Sequence, residues 1–115
     1  MSFDWREYVN LSEELVKREE ESCLRSAISR SYYGVFCLAR NKLGYQNLHF
    51  NVHSKVIDTY RNSKDIIREK IGKNLDELKK ARNIVDYIDN VEINKNMTER
   101  MLVLAKQVLK NLESI

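Results

Sequence analysis

The sequence has no proline and only three glycines among its 115 residues. A β-sandwich or barrel needs a turn signal about every 8–12 residues, and this chain does not supply one. The same shortage removes Gly-rich phosphate loops. Neither GxGxxG nor a Walker A pattern is present, so two large enzyme classes lose their main signature. HExxH and a nucleophile elbow are absent as well. Cysteine is scarce: Cys23 and Cys37 are the only two. On one helix their spacing separates them by roughly 21 Å, whereas a disulfide needs Cα atoms within about 7 Å. No CxxC or zinc spacing occurs. A signal peptide, a transit peptide and an apolar run of membrane-spanning length are all missing. The expectation is a reduced, cytoplasmic protein with no membrane contact.

What is present is enough for one domain over residues 1–115, too short for two independent cores. With 43% hydrophobic and 32% charged residues the chain falls in the globular class, and few turn residues leave an all-α fold. Apolar residues recur at helical spacing in five stretches. Trp5, Tyr8, Val9, Ser12, Leu15 and Val16 predict a helix over 4–20. The second stretch predicts 22–43, closed by Gly44 as a C′ glycine. Val52, Val56, Tyr60 and Ile67 predict a third helix over 52–70. Leu78, Ala81, Val85 and Ile88 predict a fourth over 75–89. Met101, Leu104, Ala105, Val108 and Leu112 predict a fifth over 97–113. Three pairs have capping-box spacing at helix starts: Asp4 with Glu7, Asn74 with Glu77, and Asn96 with Glu99.

The second helix is unlike the rest. Apolar side chains from Leu24 to Leu43 cover about half of its circumference, which predicts the central, most buried element. Gly34 in its middle costs roughly 0.5–1 kcal/mol against alanine and points to close approach of a neighbour. The other half gathers Ser26, Ser29, Arg30, Tyr33, Cys37 and Arg40 into a polar strip. Such a strip is either a solvated face or a surface for a partner or cleft.

Net charge is +3, too small in bulk to imply nucleic acid. Its distribution says more. Residues 1–22 carry seven acidic and three basic side chains, residues 24–42 four basic and no acidic, and residues 61–82 eight basic and four acidic. The middle of the chain is basic and its ends are acidic.

Several constellations are candidates for chemistry. Arg82 and Asp86 are spaced i, i+4, as a local ion pair or as a cation and a proton-handling group side by side. His49 and His53 are also four apart, but no nearby carboxylate or cysteine completes a zinc set, so no metal is expected. His53 at a helix start is a candidate base or a surface histidine. Tyr32 and Tyr33 are adjacent and point about 100° apart on a helix, so Tyr32 packs inward while Tyr33 joins the polar strip.

Two segments together resemble a known family. Ala27-Ile-Ser-Arg-Ser-Tyr-Tyr-Gly-Val-Phe36 resembles the second-helix signature of HEPN domains (higher eukaryotes and prokaryotes nucleotide-binding). Arg82-Asn-Ile-Val-Asp-Tyr87 resembles their fourth-helix motif, and His53-Ser-Lys-Val-Ile57 the start of their third helix. The resemblance implies an antiparallel four-to-five-helix up-down bundle, usually a homodimer, in defence or toxin–antitoxin settings. It also implies a minimal nucleotidyltransferase as a partner, RNA or a nucleotide as ligand, and no cofactor. Active members are metal-independent endoribonucleases with an arginine, a polar residue and a histidine four to six positions after the arginine.

Arg82 and Asn83 match the start of that motif; the histidine does not match, since positions 86–89 are Asp, Tyr, Ile and Asp. RNA cleavage by 2′-OH attack needs a proton acceptor, a proton donor and a cation for the phosphorane. Arg82 fits the cation, with Asp86 and Tyr87 as the remaining candidates on that helix. Ser29, Arg30, Tyr33, Asn83 and His53 are candidates for ligand binding. Ser29 and Arg30 are expected to hydrogen-bond across to the fourth helix. The expectation is a catalytically degenerate binding module. An active endoribonuclease toxin and a purely structural helical module are its alternatives.

Overall fold

The computed structural model describes residues 2–115. They form five helices: α1 (Arg6–Val16), α2 (Glu21–Lys42), α3 (Val52–Arg61), α4 (Ile66–Tyr87) and α5 (Lys95–Ser114). No strand occurs among the described residues. The all-α expectation holds, as an all-helical bundle.

As the half-apolar circumference predicts, α2 is the central helix. It packs against all four others, and Ala27, Ile28, Tyr32, Val35, Phe36 and Ala39 along it are buried. Gly34 explains how α1 comes so close: a Cβ there would meet the Trp5 carbonyl oxygen at 2.9 Å. Val35, Phe36, Val56, Tyr60, Leu75, Leu78 and Val108 form the larger apolar core; Leu24, Ile28, Val85, Ile93 and Leu102 belong to a second. Tyr60 ties α3 to α2 by donating its hydroxyl to the Ala39 carbonyl at 2.9 Å, and burial pushes that phenol up to about 12. Cys23 and Cys37 are both free thiols.

The helix boundaries depart from expectation most between α3 and α4. The third helix stops at Arg61, not at 70, and the fourth begins at Ile66, not at 75. Ser63 Oγ accepts from the Asp65 amide at 3.1 Å, and Asp65 Oδ2 accepts from the Arg68 amide at 3.3 Å. These local bonds compete with helix continuation and restart the chain as a capped helix. Ile67, expected on the core stripe of the third helix, is 37% exposed in the first turn of α4, beside Ile66 at 77%. α3 crosses α4 at Gly72, where a Cβ would lie 2.4 Å from the Arg61 amide nitrogen.

The capping boxes fall elsewhere too. The Asp4 carboxylate accepts from the Arg6 amide and guanidinium, but Trp5 holds the cap position of α1. Asn74 lies inside α4 and reaches Gln107 of α5 at 3.4 Å. Asn96 lies inside α5, whose cap is Asn94, accepting from the Met97 amide at 2.9 Å. α1 ends at Val16, short of the expected 20, and Glu19 beyond it takes a left-handed φ of 64°.

Candidate functional site

α4 turns Leu75, Leu78 and Val85 into the core, and Arg82 lies on the same stripe, only 7% exposed. Its guanidinium carbon sits 5.5 Å from the ring centroid of Tyr32 and 5.2 Å from that of Tyr33, both on α2. Aromatic faces attract a cation electrostatically, the more so where water is excluded. Arg82 Nε is sealed from solvent and has no hydrogen-bond partner, the only such side-chain atom among the described residues.

Of the two readings of the Arg82–Asp86 spacing, the local ion pair does not form. Pairs at i, i+4 do form at Glu21–Arg25, Glu69–Lys73 and Asp76–Lys80. Asp86 instead accepts from Ser29 Oγ at 3.1 Å, which bears out the expected Ser29 link between α2 and α4. Arg30 does not reach α4. Its guanidinium lies 5.0 Å over the Tyr8 ring of α1 and 5.4 Å over Tyr33. Stacking on two rings satisfies it on the α1 side, so the polar strip of α2 divides between two neighbouring helices.

His53, in the first turn of α3, joins the cluster. Its Nδ1 lies 2.6 Å from the Tyr32 hydroxyl, and its ring stacks on Phe36 at 4.1 Å between centroids. Burial, followed by the positive charges of Arg82, Lys79 and Arg40, pulls the imidazole down to about 4. It is therefore neutral at physiological pH. Burial holds the Tyr32 phenol well above its ordinary value, against the opposing pull of Arg82. His49 is exposed in the 44–51 loop and makes no contact with this cluster. No group of three ligating side chains suited to a metal exists among the described residues.

The structure thus brings together Arg82, Tyr33 and His53, with Ser29 and Asp86 at the edge and Arg30 one ring away. Asn83 and Tyr87 stand outside. Both are exposed, Tyr87 at 73%, and neither makes a hydrogen bond or ring contact with the cluster. Tyr87 instead borders a shallow depression with Glu21, Arg25, Asp86 and Asp89.

Two residues of this region were not legible as participants. Tyr32 packs inward as its helical position predicts, yet its hydroxyl is the link to His53, 21 residues away across a loop. Arg25 donates to the carbonyls of Val85 at 2.9 Å, Ile88 at 2.8 Å and Val91 at 2.6 Å. It holds the C-terminal end of α4, where unsatisfied carbonyls favour a cation. Only its place in a run without acidic residues hinted at it.

Chemically, the cluster offers a buried guanidinium free of any carboxylate, a neutral imidazole and two phenols. That is a donor-rich setting for an anion. No helix of the described residues is long and apolar enough to cross a membrane.

The family model for the HEPN domain matches residues 6–115, a span that takes in all five helices. Searches among curated proteins and among solved structures gave no match. With the helical bundle, the second-helix run packed against Arg82 of the fourth, and this match over nearly its whole length, the chain belongs to the HEPN domain family, a family of nuclease- and RNA-related modules.

Proposed function

We propose that the protein is a homodimeric HEPN module of a defence or toxin–antitoxin system that binds the phosphate of RNA or a nucleotide at Arg82 without cleaving it. The observation that carries this reading is the state of Arg82. A buried guanidinium normally pairs with a carboxylate, because an uncompensated buried charge is costly. Here Nε has no partner and Asp86 is engaged by Ser29. An incoming phosphate supplies the missing counter-charge, and Arg is suited to bind it through two N–H groups at once.

The absence of cleavage rests on the fourth helix. The motif position that holds a histidine in active relatives holds Tyr87, and that side chain is turned away from Arg82 into solvent. HEPN domains commonly dimerise, and Ile84, Tyr87, Ile88 and Val91 leave apolar surface exposed at the end of α4. That strip supports an interface there, with a second copy or with a minimal nucleotidyltransferase.

Single-stranded RNA and nucleotides titrated against the wild type and Arg82→Gln test the reading. Binding by the wild type that is lost in the variant is the expected result. Cleavage of that RNA in EDTA, lost in Arg82→Gln, would replace it with an endoribonuclease. A monomer in light scattering at micromolar concentration would remove the homodimer.

A further inference from the structure

Tyr32 is fully buried, and the acceptor its hydroxyl reaches is His53 Nδ1; the neighbouring Arg82 can only donate. A buried phenol keeps its proton, and a buried O–H that lacks an acceptor is costly. Donation from Tyr32 to Nδ1 satisfies both groups. The reverse arrangement would leave the phenolic proton with no acceptor.

An imidazole whose Nδ1 accepts carries its own proton on Nε2. His53 Nε2 has no hydrogen-bond partner, and it is not sealed from solvent. The Arg82 guanidinium, whose Nε alone is sealed and unpartnered, lies close enough to the same phenol to pull its titration down against burial. Both groups flank one ring: the Arg82 guanidinium carbon lies 5.5 Å from the Tyr32 centroid and the His53 ring 5.7 Å from it.

We infer that Tyr32 locks His53 as a neutral Nε2–H donor, and that this N–H and the Arg82 guanidinium grip the same phosphodiester. The inference rests on the reading of Arg82 as the phosphate site and adds to it a second donor and a fixed tautomer. Tyr32 is then a positioning residue and His53 a binding residue. His53 cannot take the 2′-OH proton in this arrangement, because its Nε2 is already protonated and its Nδ1 lone pair is occupied. The phosphodiester is held and not cut.

The groups facing His53 are Tyr32, Tyr33 and Arg40 of α2, and Lys79 and Arg82 of α4. None is a carboxylate or a second histidine. Nothing in this set recruits a proton to the imidazole, so phosphodiester affinity should stay flat from pH 5 to pH 8.

The test uses the full-length protein, 15N-labelled, and a single-stranded oligouridylate without terminal phosphate as probe. Imidazole 15N shifts should report the Nε2-protonated form of His53 throughout pH 5–8, and Tyr32→Phe, which removes the donor to Nδ1, should mix the two neutral tautomers. Oligouridylate affinity should change less than about twofold over that range. His53→Phe should weaken it about tenfold, the worth of one hydrogen bond to a charged group, while His53→Gln, which keeps a donor, should recover part of that loss. An Nδ1-protonated His53, or affinity that rises tenfold as pH falls through 6.5, overturns the inference. Wild-type affinity in a folded His53→Phe also overturns it while leaving the Arg82 reading intact. Absence of oligouridylate binding in the wild type overturns both. Should His53→Phe not fold, the wild-type tautomer and the flat pH profile still decide.

Discussion

Ser29 Oγ donates to Asp86 Oδ2 at 3.1 Å, so the carboxylate one turn beyond Arg82 is tied to α2 and leaves the guanidinium unpaired. A neutral hydroxyl thereby occupies the acid that helical spacing would assign to the cation. Under the proposed phosphate reading, Asp86 is then a repulsive charge at the rim of the site.

Asp86→Asn removes that charge and keeps an oxygen for Ser29. The fold should stay within about 0.5 kcal/mol of wild type, as for a substitution at an exposed position. RNA affinity at low salt should rise about two- to fivefold, since a rim charge acts mainly through screened electrostatics. Urea denaturation and fluorescence anisotropy check the two halves. Weaker binding by a stable Asp86→Asn would mean that Asp86 orients the ligand instead of repelling it.

Arg82 can be tested for function apart from folding. Arg82→Met fills the same space between the Tyr32 and Tyr33 rings without a buried charge. Its stability should be equal to or above wild type, by up to about 2 kcal/mol, because replacing buried ionic groups by apolar ones of similar volume is often neutral or better. Arg82→Ala should cost about 1–3 kcal/mol, through lost stem packing and a residual void. Both should lose RNA binding. A strongly destabilised Arg82→Met would instead assign Arg82 to the architecture.

The contrast between these helices also shows what the sequence made legible. The central place of α2 followed from its apolar circumference, and Gly34 marked the close approach of α1, because both are local patterns read along one helix. The α3–α4 junction is not legible because Ile67 continues the apolar spacing of Val52, Val56 and Tyr60, and the side-chain bonds of Ser63 and Asp65 that break the helix leave no periodic trace. The candidate site divided the same way. Ser29, Tyr33 and Arg82 are legible as neighbours from their positions on α2 and α4. The Tyr32–His53 pair depends on how α3 docks, and Tyr87 was placed near Arg82 by a motif although their helical positions diverge. Arg25 carries no local signal, because its three carbonyl partners lie 60 to 66 residues away.

Arg25→Ala should therefore do more than remove a surface charge. Three carbonyls at the end of α4 lose a charged donor, along with the Glu21–Arg25 pair at 3.0 Å. Hydrogen bonds to charged groups contribute about 1.5–3 kcal/mol each and do not add fully, so a loss of about 2–4 kcal/mol is expected. Amide exchange should quicken over 85–94 before elsewhere. Uniform exchange across the chain would show that the clamp has no local role.

Gly72→Ala tests the crossing of α3 on α4. The added methyl would lie 2.4 Å from the Arg61 nitrogen and 2.8 Å from its Cα, and backbone cannot swing aside as a flexible side chain can. Although alanine favours helices, the variant should lose about 1–3 kcal/mol, the usual range for overpacking. A Gly72→Ala protein as stable as wild type in urea would mean that the two helices separate there without cost.

Low pH should weaken the fold through His53. Its folded value lies near 4, below the ordinary 6.5, because burial and the cations Arg82, Lys79 and Arg40 disfavour the charged ring. Between those values the unfolded chain binds more protons than the folded one, so stability must fall as pH falls. The contribution is complete above about pH 6.5 and gone below about pH 4. Protonation at Nδ1 also forfeits the Tyr32 hydrogen bond, which places the loss at the α2–α3 contact. Urea midpoints of wild type and His53→Gln at pH 7.5, 6.0 and 4.5 should converge or cross as pH drops, because glutamine does not titrate. Parallel curves for the two proteins over that range would show that His53 protonates alike in both states, and the buried neutral pair would then be wrong.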